Sequence, residues 1–537
     1  MERAGDKVKK REFFEMLPAI VVVAGAFLLP LSLITIYAFN TKGELAFFSP
    51  LNLHVIKFTF YQAILSALLA TVIGLPGAYL IGRTDFKFKG VFSALSSIPF
   101  VMPSVSMALG FFTFYGSKGV LNEYFLWPIF HVRFEPLFSM LGIVMGNAFY
   151  NFPLVMIVVG GAIAGVNRIH LEAAKIDGAS DFEAFMYVEL PIIFPSLISA
   201  FLLSFIYCFT SFAVVLMIGG ARYATMEVQI YMYLKTLLDF KNAAALTVLQ
   251  LSFIFAFTLI FSLLKKGFGV FSQEISAFRV SFPRWGYVYI FFIAVFAFGP
   301  IFSQAFAGFW DFQSDSFTFQ WMRNLFSGQM DPYIGNSIFS AIFWTFIFAL
   351  SSSLLVVTLS SSASRVVQKR KLHLLDAVFT SPLAVSPVTL AFGYIILDGY
   401  LYLTFPVEIV AIYTIISFPI GFQIFSSAWE RFPDSVDDAA SIDGANFWVK
   451  LFKIHLPILK KQIWSSFLFS FAISMGEMGA TMVLYDPRFP TISVSAYRLF
   501  SSRHIPQAQA LGTLLTLSTF VIFYVLEKPF FSKKESF

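Results

Sequence analysis

The sequence predicts an all-α polytopic membrane protein made of two tandem six-helix repeats. Three observations support this prediction. Long apolar segments recur along the chain, basic clusters separate them at regular intervals, and one segment of the first half returns in the second half. Of the 537 residues, 58% are hydrophobic and 13% are charged, against about 25% charged in an average soluble domain. Most of the chain is therefore expected to lie in lipid.

The apolar segments have the length of membrane-spanning helices. A bilayer core about 30 Å thick needs about 20 apolar residues per span, and we count about twelve such spans, numbered in chain order. Span 1 is longer than the core of a signal peptide and lacks a small-residue cleavage site, so we expect it to be retained. The predicted spans are 17–39, 58–81, 91–114, 137–164, 191–217, 243–264, 286–306, 337–359, 377–397, 401–427, 462–484 and 508–526.

Basic residues predict the orientation of the spans. They cluster before span 1 and after spans 2, 6, 8 and 12, which are all on one side if both termini are cytoplasmic. The net charge of +6 is thus spread between spans, and it forms no single patch that would indicate a nucleic-acid partner. The clusters are Lys7, Lys9, Lys10 and Arg11; Arg83, Lys87 and Lys89; Lys265 and Lys266; Arg365, Lys369, Arg370 and Lys371; and Lys528, Lys533 and Lys534.

A duplicated segment divides the chain into two repeats. LEAAKIDGASDFEAFMYVELP around Gly178 aligns without a gap with DDAASIDGANFWVKLFKIHLP around Gly444. We call the separation of these two glycines the repeat interval, and Pro153 and Pro419 are separated by the same interval. Because the repeat interval is close to half the chain, we predict one six-span repeat over residues 1–275 and a second over residues 276–537.

Each copy of the segment predicts two short helices that meet at a glycine, which can adopt the left-handed conformation of a tight corner. Ser180 and Glu183 have the capping-box spacing, and Asn446 is a favourable N-cap. The second helix of each copy is amphipathic, so its apolar face packs either under its own bundle or in a groove on a partner. These apolar residues are Phe182, Phe185, Met186 and Leu190 in the first copy, and Trp448, Leu451, Phe452 and Leu456 in the second.

The duplicated segment resembles the signature of permease subunits of binding-protein-dependent ABC importers. That signature is Glu-Ala-Ala, three residues, Gly, nine residues and Ile-x-Leu-Pro. Asp438 and Val188 are conservative departures from it. The matching residues are Glu172, Ala173, Ala174, Gly178, Val188, Leu190 and Pro191, then Asp438, Ala439, Ala440, Gly444, Ile454, Leu456 and Pro457.

The resemblance implies a fold, partners and a location. The fold is the type I ABC importer transmembrane fold, in the prokaryotic cytoplasmic (inner) membrane. The segments 168–191 and 432–457 would be coupling loops that seat in ABC ATPase subunits, with Phe182, Phe185, Trp448 and Leu451 among the contacts. Since one chain supplies both loops, the simplest ATPase partner is a homodimer, which would hold ATP and Mg, and an extracytoplasmic binding protein would deliver the solute.

Nearly the whole chain resembles the fused twelve-span permeases for iron(III) and for thiamine, which implies iron(III), thiamine or a related small molecule as the solute. The similar stretches include SFAVVLMIGGARYATMEVQIY from Ser211 and MGEMGATMVL from Met475. Glu477 lies within span 11, where a lipid-facing carboxylate would cost roughly 2.5 to 3.5 kcal/mol. We therefore expect Glu477, and Ser211 at the equivalent position, to face either the solute pathway or a polar partner on a neighbouring helix.

The sequence contains no motif of an enzyme. It lacks the Gly-x-x-x-x-Gly-Lys-[Ser/Thr] phosphate loop, a nucleophile elbow and a cluster of metal ligands, so we predict a transport subunit with no catalytic residues, metal or cofactor of its own. A six-plus-six-span secondary transporter of the facilitator type is the alternative. Gly82, Arg83 and Asp85 match the loop signature of that class only loosely, and the class does not explain the repeated loops.

Overall fold

The computed structural model describes residues 14–40, 47–267, 281–311 and 314–531. Helices dominate this part of the chain, and two short hairpins pair β1 (Trp310–Asp311) with β2 (Ser316–Phe317) and β3 (Met330–Asp331) with β4 (Asn336–Ser337). The main helices before residue 320 are α1 (Phe14–Asn40), α2 (Pro50–Arg83), α3 (Lys89–Val101), α4 (Ser104–Tyr115), α5 (Met140–Ala164), α6 (Arg168–Ile176), α7 (Phe182–Phe209), α8 (Met226–Lys235), α9 (Phe240–Gly267) and α10 (Arg284–Ala307).

The main helices of the second half repeat this order with two additional short helices, α11 (Gln320–Leu325) and α18 (Gly479–Leu484). They are α12 (Ile338–Arg370), α13 (His373–Ala384), α14 (Pro387–Leu401), α15 (Phe405–Glu430), α16 (Asp434–Ile442), α17 (Lys460–Gly476), α18 (Gly479–Leu484), α19 (Ile492–Ser501) and α20 (Ile505–Phe531).

Within the described residues, nine unbroken helices are long and apolar enough to cross a membrane. They coincide with the predicted spans except at spans 3, 9 and 11, each of which is broken into two helices, and at span 5, where the helix ends at Phe209. Met102 and Ser386 are extended and precede Pro103 and Pro387, as the steric clash of a following proline ring requires. Span 11 is interrupted at Glu477. The prediction of continuous helices at these four spans is therefore wrong.

Two threonines occupy equivalent places in the two halves. The Thr59 hydroxyl in α2 accepts a hydrogen bond of 2.9 Å from the backbone N–H of Met226, at the start of α8. The Thr345 hydroxyl in α12 accepts one of 2.8 Å from the N–H of Ile492, at the start of α19. Met226 and Ile492 are one repeat interval apart in the sequence, so the donors of these two hydrogen bonds follow the repeat, whereas Thr59 and Thr345 are separated by a longer interval.

The chain forms two compact units whose limits differ from those of the predicted repeats. One unit contains α2 to α10, and the other contains α1 together with α11 to α20. The first helix of each half thus belongs to the unit built by the other half. The predicted boundary between residues 275 and 276 lies outside the described residues, as do the N-terminal basic cluster and Lys533 and Lys534, so the repeat limits stay a prediction.

We call α1 and α10, which each belong to the unit built by the other half, the exchanged helices. Each of them contacts a glycine and a tyrosine of that unit. In one unit, a Cβ atom on Gly393 of α14 would lie 2.7 Å from the Pro30 Cβ of α1, and the Tyr394 hydroxyl donates to the Ala26 carbonyl at 3.2 Å. In the other unit, a Cβ on Gly110 of α4 would lie 2.6 Å from the Pro300 carbonyl oxygen of α10. Only glycine permits such close approach.

The tyrosine hydroxyls donate hydrogen bonds to backbone carbonyls that the prolines leave without a donor. Proline has no N–H for the carbonyl four residues before it. Pro30 leaves Ala26 in this state and Pro300 leaves Phe296, whose carbonyl accepts from the Tyr115 hydroxyl at 3.3 Å. A π-helical turn also ends just before each proline, at Ala24–Leu28 and Ala294–Phe298. The exchanged helices are therefore held by the same device in both units.

We predict that Gly393→Ala lowers the stability of the protein by about 1–3 kcal/mol, because the added methyl group overpacks the contact with Pro30. Gly399→Ala is the matched control, since it lies in the same helix and a Cβ there meets nothing within 4 Å. Thermal unfolding of the detergent-purified protein compares the two variants. Equal melting temperatures would contradict this account of the contact.

Candidate functional site

The duplicated segments form two loops that we call loop 1 (168–191) and loop 2 (432–457). In each, a short helix ends at a glycine with left-handed backbone: Gly178 has a φ of +89° and Gly444 a φ of +75°. Ala179 donates to the Ala174 carbonyl at 3.0 Å, and Ala445 donates to the Ala440 carbonyl at 2.9 Å. A Cβ at either glycine would meet nothing within 4 Å, so the backbone conformation, rather than space, calls for glycine.

The helix after each corner is capped as predicted. In loop 1 the Glu183 carboxylate accepts from the Ser180 N–H at 2.8 Å and the Ser180 hydroxyl accepts from the Glu183 N–H at 3.3 Å, which confirms the capping box. In loop 2 the Asn446 side chain accepts from the Val449 N–H at 2.9 Å. Both corners are therefore specified by local hydrogen bonds.

Large apolar side chains at the two corners are exposed to solvent. Ile176 and Ile442, which are equivalent, are each 86% exposed, Phe182 is 71% exposed and Trp448 is 62% exposed. The Trp448 and Phe452 rings are stacked, with centroids 6.1 Å apart. Folding normally buries such side chains, so a repeated exposed set indicates a surface for a partner.

The predicted single apolar face of loop 1 is wrong in part. Phe185 packs edge-on against Tyr79 of α2, with ring centroids 5.9 Å apart, and Leu190 packs against the buried core of its own unit. The physical reason is that α7 runs without interruption from the loop into the bundle, so one side of the helix meets the bundle and the other meets solvent. The second of the two short helices predicted for loop 1 therefore does not form as a separate element.

The remaining predicted residues of the loops are distributed between surface and core. Ala173, Asp438 and Ala439 are exposed, as are Pro191 and Pro457, whereas Glu172, Ala174 and Leu451 are half-buried and Ala440 is buried. Each proline follows a π-helical turn, at Phe185–Glu189 and Leu451–His455. Wide turns of this kind are frequent at functional sites.

A buried ion pair that the sequence analysis missed anchors loop 1. The Arg83 guanidinium, in the last residue of α2, lies 2.8 Å from the Glu189 carboxylate, and both side chains are almost completely buried. Removing one partner from such a pair leaves an uncompensated buried charge, which costs about 3–5 kcal/mol. The pair therefore ties the end of loop 1 firmly to the end of α2.

Loop 2 is anchored at the equivalent place by a different set of groups. His455 follows Glu189 by one repeat interval, and its Nε2 lies 2.8 Å from the Asp437 carboxylate of α16. That carboxylate also lies 3.4 Å from Arg365 and 3.9 Å from Lys369, both in α12. The acidic partner has thus moved into the first helix of the loop.

Burial and charge set the ionisation of the loop 2 anchor. Burial lowers the pKa of His455 below its usual range, although the hydrogen bond to Asp437 opposes this shift. Burial opposes ionisation of Asp437 as well, but the hydrogen bond to His455 and the charges of Arg365 and Lys369 outweigh it and lower the pKa of that carboxyl. At neutral pH the anchor therefore contains a neutral imidazole and an ionised carboxylate.

Glu477 and Ser211 lie at breaks in equivalent helices. In one unit, the Glu477 carboxylate accepts from the N–H of Ala480 at 2.9 Å and from the Thr481 hydroxyl at 3.2 Å, so it caps the start of α18. In the other unit, α7 ends at Phe209 and Ser211 follows in a non-helical backbone that is partly exposed. The polar partners of Glu477 are thus the backbone N–H and hydroxyl groups in the first turn of the helix that follows it.

A polar network that the sequence analysis also missed supports each break. In the unit of α7, Gln62 donates to the carbonyl of Cys208 at 2.9 Å and accepts from Asn147 of α5 at 2.9 Å. In the unit of α17, the Tyr413 hydroxyl lies 2.6 Å from the Thr481 hydroxyl. Asn147 and Tyr413 are separated by the repeat interval, which is the signal that could have identified them.

Acidification should weaken the loop 2 anchor. Because the pKa of His455 is lower in the folded protein than the usual 6.5 or so, the stability that neutral His455 contributes is complete above about pH 6.5 and is lost as the pH falls through the lower folded value. We expect hydrogen exchange in peptides covering 434–458 to accelerate between pH 7.5 and 5.5, after correction for intrinsic rates. His455→Gln should abolish this acceleration, whereas the exposed His170→Gln should preserve it; equal behaviour of both variants would refute it.

Comparison with known proteins shows the family to which the chain belongs. The profile of the family described as "Binding-protein-dependent transport system inner membrane component" matches residues 74–269, which include loop 1 and the break at Ser211. The molybdenum transport system permease protein ModB of Azotobacter vinelandii is 30% identical over 183 residues, covering 34% of this chain and 80% of that protein.

Other relatives match almost end to end. The thiamine transport system permease protein ThiP of Brucella abortus (strain 2308) is 24% identical over 498 residues, covering 90% of this chain and 89% of that protein. Its counterpart in Escherichia coli (strain K12) is 23% identical and covers 88% of each chain. These matches and the apolar helices make the chain a multi-pass inner-membrane transport subunit, and it belongs to the family of inner membrane components of binding-protein-dependent transport systems, as a fused permease of the ABC importer type.

Proposed function

We propose that this chain forms the translocation pathway of an ATP-driven importer for thiamine, which an extracytoplasmic binding protein delivers. The observation that carries the proposal is the pair of loops, which present exposed apolar side chains at equivalent positions beside identical glycine corners. Two ATPase subunits offer two equivalent clefts, and loops 1 and 2 would fill one each. Both loops and both termini would then lie on the cytoplasmic side, as the basic clusters predict.

The anchors provide a route from the loops to the bundle. Loop 1 is joined to α2 through Glu189 and Arg83 and continues directly into α7. Loop 2 is joined to α12 through Asp437 and Arg365. When ATP closes the ATPase pair, each loop would carry its anchored helix with it, and the bundle would shift between inward-facing and outward-facing states.

The partner ATPase is proposed to be a homodimer, because one chain already supplies two unequal loops. ATP and Mg²⁺ would be held by that partner. The loops differ in charge, since Lys450 and Lys453 stand where loop 1 has Ala184 and Tyr187. The Lys450 ammonium is partly engaged within loop 2, where it donates to the Asp437 carbonyl at 2.9 Å. Identical ATPase subunits would therefore bind the two loops with different strengths.

Thiamine is proposed over iron(III) because proteins named for thiamine transport match this chain over nearly its whole length. Thiamine is also a cation, and the pathway would offer it the carboxylate of Glu477. We propose that Glu477 and Ser211, at the two helix breaks, line the pathway. A six-plus-six-span facilitator does not account for the duplicated loops, and the family assignment does not favour it.

The proposal is tested by reconstituting the chain in liposomes with its ATPase and binding protein. Uptake of radiolabelled thiamine should require ATP on the cytoplasmic side of the protein, and thiamine-loaded binding protein should stimulate ATP hydrolysis. Iron(III) should be neither taken up nor able to stimulate hydrolysis. If iron(III) stimulates hydrolysis and thiamine does not, the proposed solute is wrong and iron(III) takes its place. Uptake that persists without ATP and collapses with a proton ionophore would instead support the facilitator.

The glycine corners should be required for coupling. Val at position 178 or 444 must adopt a left-handed backbone at a cost of about 1–2 kcal/mol, which should displace the exposed residues of the loop. We expect Gly178→Val and Gly444→Val to insert normally but to bind the ATPase more weakly and to lose most ATP-dependent transport. Gly161→Val is the control, because this helical glycine has equally open surroundings. Normal transport by both corner variants would refute the coupling role.

The charge of Glu477 should matter for transport rather than for folding. Glu477→Gln removes the negative charge and one of the two capping oxygens, so we expect a thiamine transport rate about tenfold lower, equivalent to about 1.4 kcal/mol. Thr481→Val keeps the charge and removes one capping donor, so it should lower the melting temperature to a similar extent as Glu477→Gln but leave transport unchanged. Unchanged transport and ATPase coupling in Glu477→Gln would exclude the pathway role.

A further inference from the structure

An apolar groove of about 450 Å³ lies on the surface of the unit that contains α2 to α10. It is formed by the connection between α2 and α3, by α3 itself and by α10 with the residues just before it. Six of its ten lining side chains are aromatic, and their polar atoms are the Lys87 ammonium and the Tyr287 hydroxyl. A soluble ligand of this size normally meets several converging polar groups, so the lining indicates an apolar ligand.

The groove runs from the predicted cytoplasmic surface into the membrane. Lys87 and Phe88 follow the basic end of α2, and Tyr287 lies in the first turn of α10. Phe298, at the other end of the lining, is 11 residues further along α10, or roughly 16 Å at the rise of a helix. An elongated apolar groove that starts at the membrane interface matches the shape of one fatty-acyl chain.

The outer edge of the groove faces the surroundings of the helices. Phe88 is 63% exposed and Tyr287 is 69% exposed, and Val91 of α3 is also exposed. Tyrosine is enriched at the level of lipid headgroups, with its ring in the apolar region and its hydroxyl towards water. The mouth of the groove therefore has the composition of a membrane interface.

Lys87 supplies the positive charge at this mouth. It is exposed, and its ammonium lies 5.7 Å from the centroid of the Phe88 ring. Two other cations of the same connection are engaged within the protein, because Arg83 is paired with Glu189 and Lys89 donates to the Thr84 carbonyl at 2.8 Å. The cytoplasmic leaflet carries anionic phospholipids that attract such a lysine.

We propose that the groove is a binding site for an anionic phospholipid of the cytoplasmic leaflet. One acyl chain lies between α3 and α10, and the headgroup phosphate meets the Lys87 ammonium, which pairs with it as a point charge. This site is independent of the proposed solute. Its lining begins at Phe86, three residues after Arg83 of the loop 1 anchor, so a bound lipid would brace the connection between α2 and α3.

The test is a titration of the delipidated full-length protein with dioleoylphosphatidylglycerol or dioleoylphosphatidylcholine, followed by native mass spectrometry. Wild-type protein should bind phosphatidylglycerol more tightly than phosphatidylcholine. Lys87→Gln should bind phosphatidylglycerol about fivefold more weakly and phosphatidylcholine unchanged. Lys118→Gln, which removes an exposed lysine after α4, is the matched control and should behave as wild type.

A second variant tests the acyl chain. Val91→Trp should fill the groove and weaken the binding of both lipids, while Lys87→Gln affects only the anionic one. Melting temperatures measured in parallel show whether each variant is folded. The site is overturned if Lys87→Gln and Lys118→Gln bind phosphatidylglycerol alike, which would leave only nonspecific annular lipid, or if a folded Val91→Trp retains full binding of both lipids.

Discussion

A backbone carbonyl or N–H in a bilayer has no water to satisfy it, and at several bends and breaks of the described helices a side chain supplies the missing hydrogen bond. Pro30 leaves the Ala26 carbonyl without a donor, and Tyr394 supplies one. Where α7 ends, Gln62 donates to the Cys208 carbonyl. Where α17 ends, Glu477 caps the helix that follows. The broken helices of this permease are thus stabilised by specific polar side chains on neighbouring turns and helices.

The same devices recur in both halves with different residues. Asn147 and Tyr413 are equivalent residues, and each hydrogen-bonds to a group beside a helix break. Glu189 and His455 are also equivalent, and each anchors a loop. Geometry is therefore retained while the chemistry diverges. The first anchor is a buried arginine–glutamate ion pair, whereas the second contains a histidine whose lowered pKa makes it sensitive to acid. Two loops with equivalent glycine corners thus differ in charge and in the groups that anchor them.

Sequence patterns predicted most of the helices but not their interruptions. Continuous apolar composition specifies how long a segment can remain in lipid, and it does not say whether the backbone stays helical there. The breaks at Pro103 and Pro387 have a local cause in the proline ring. The break at Glu477 has none of this kind, because its stability comes from hydrogen bonds that exist only once the chain has turned.

By itself, the sequence determined the membrane class, the duplication and the two glycine corners, because hydropathy, a fixed repeat interval and local capping hydrogen bonds all act over short or regular separations. Only the tertiary structure decided that α1 and α10 each pack with the other half, that Phe185 turns inward, and that Arg83 meets Glu189. These features depend on contacts between residues far apart in the chain. The sequence does not show which atom lies against a glycine or a buried charge, and that partner decides whether the residue is needed there.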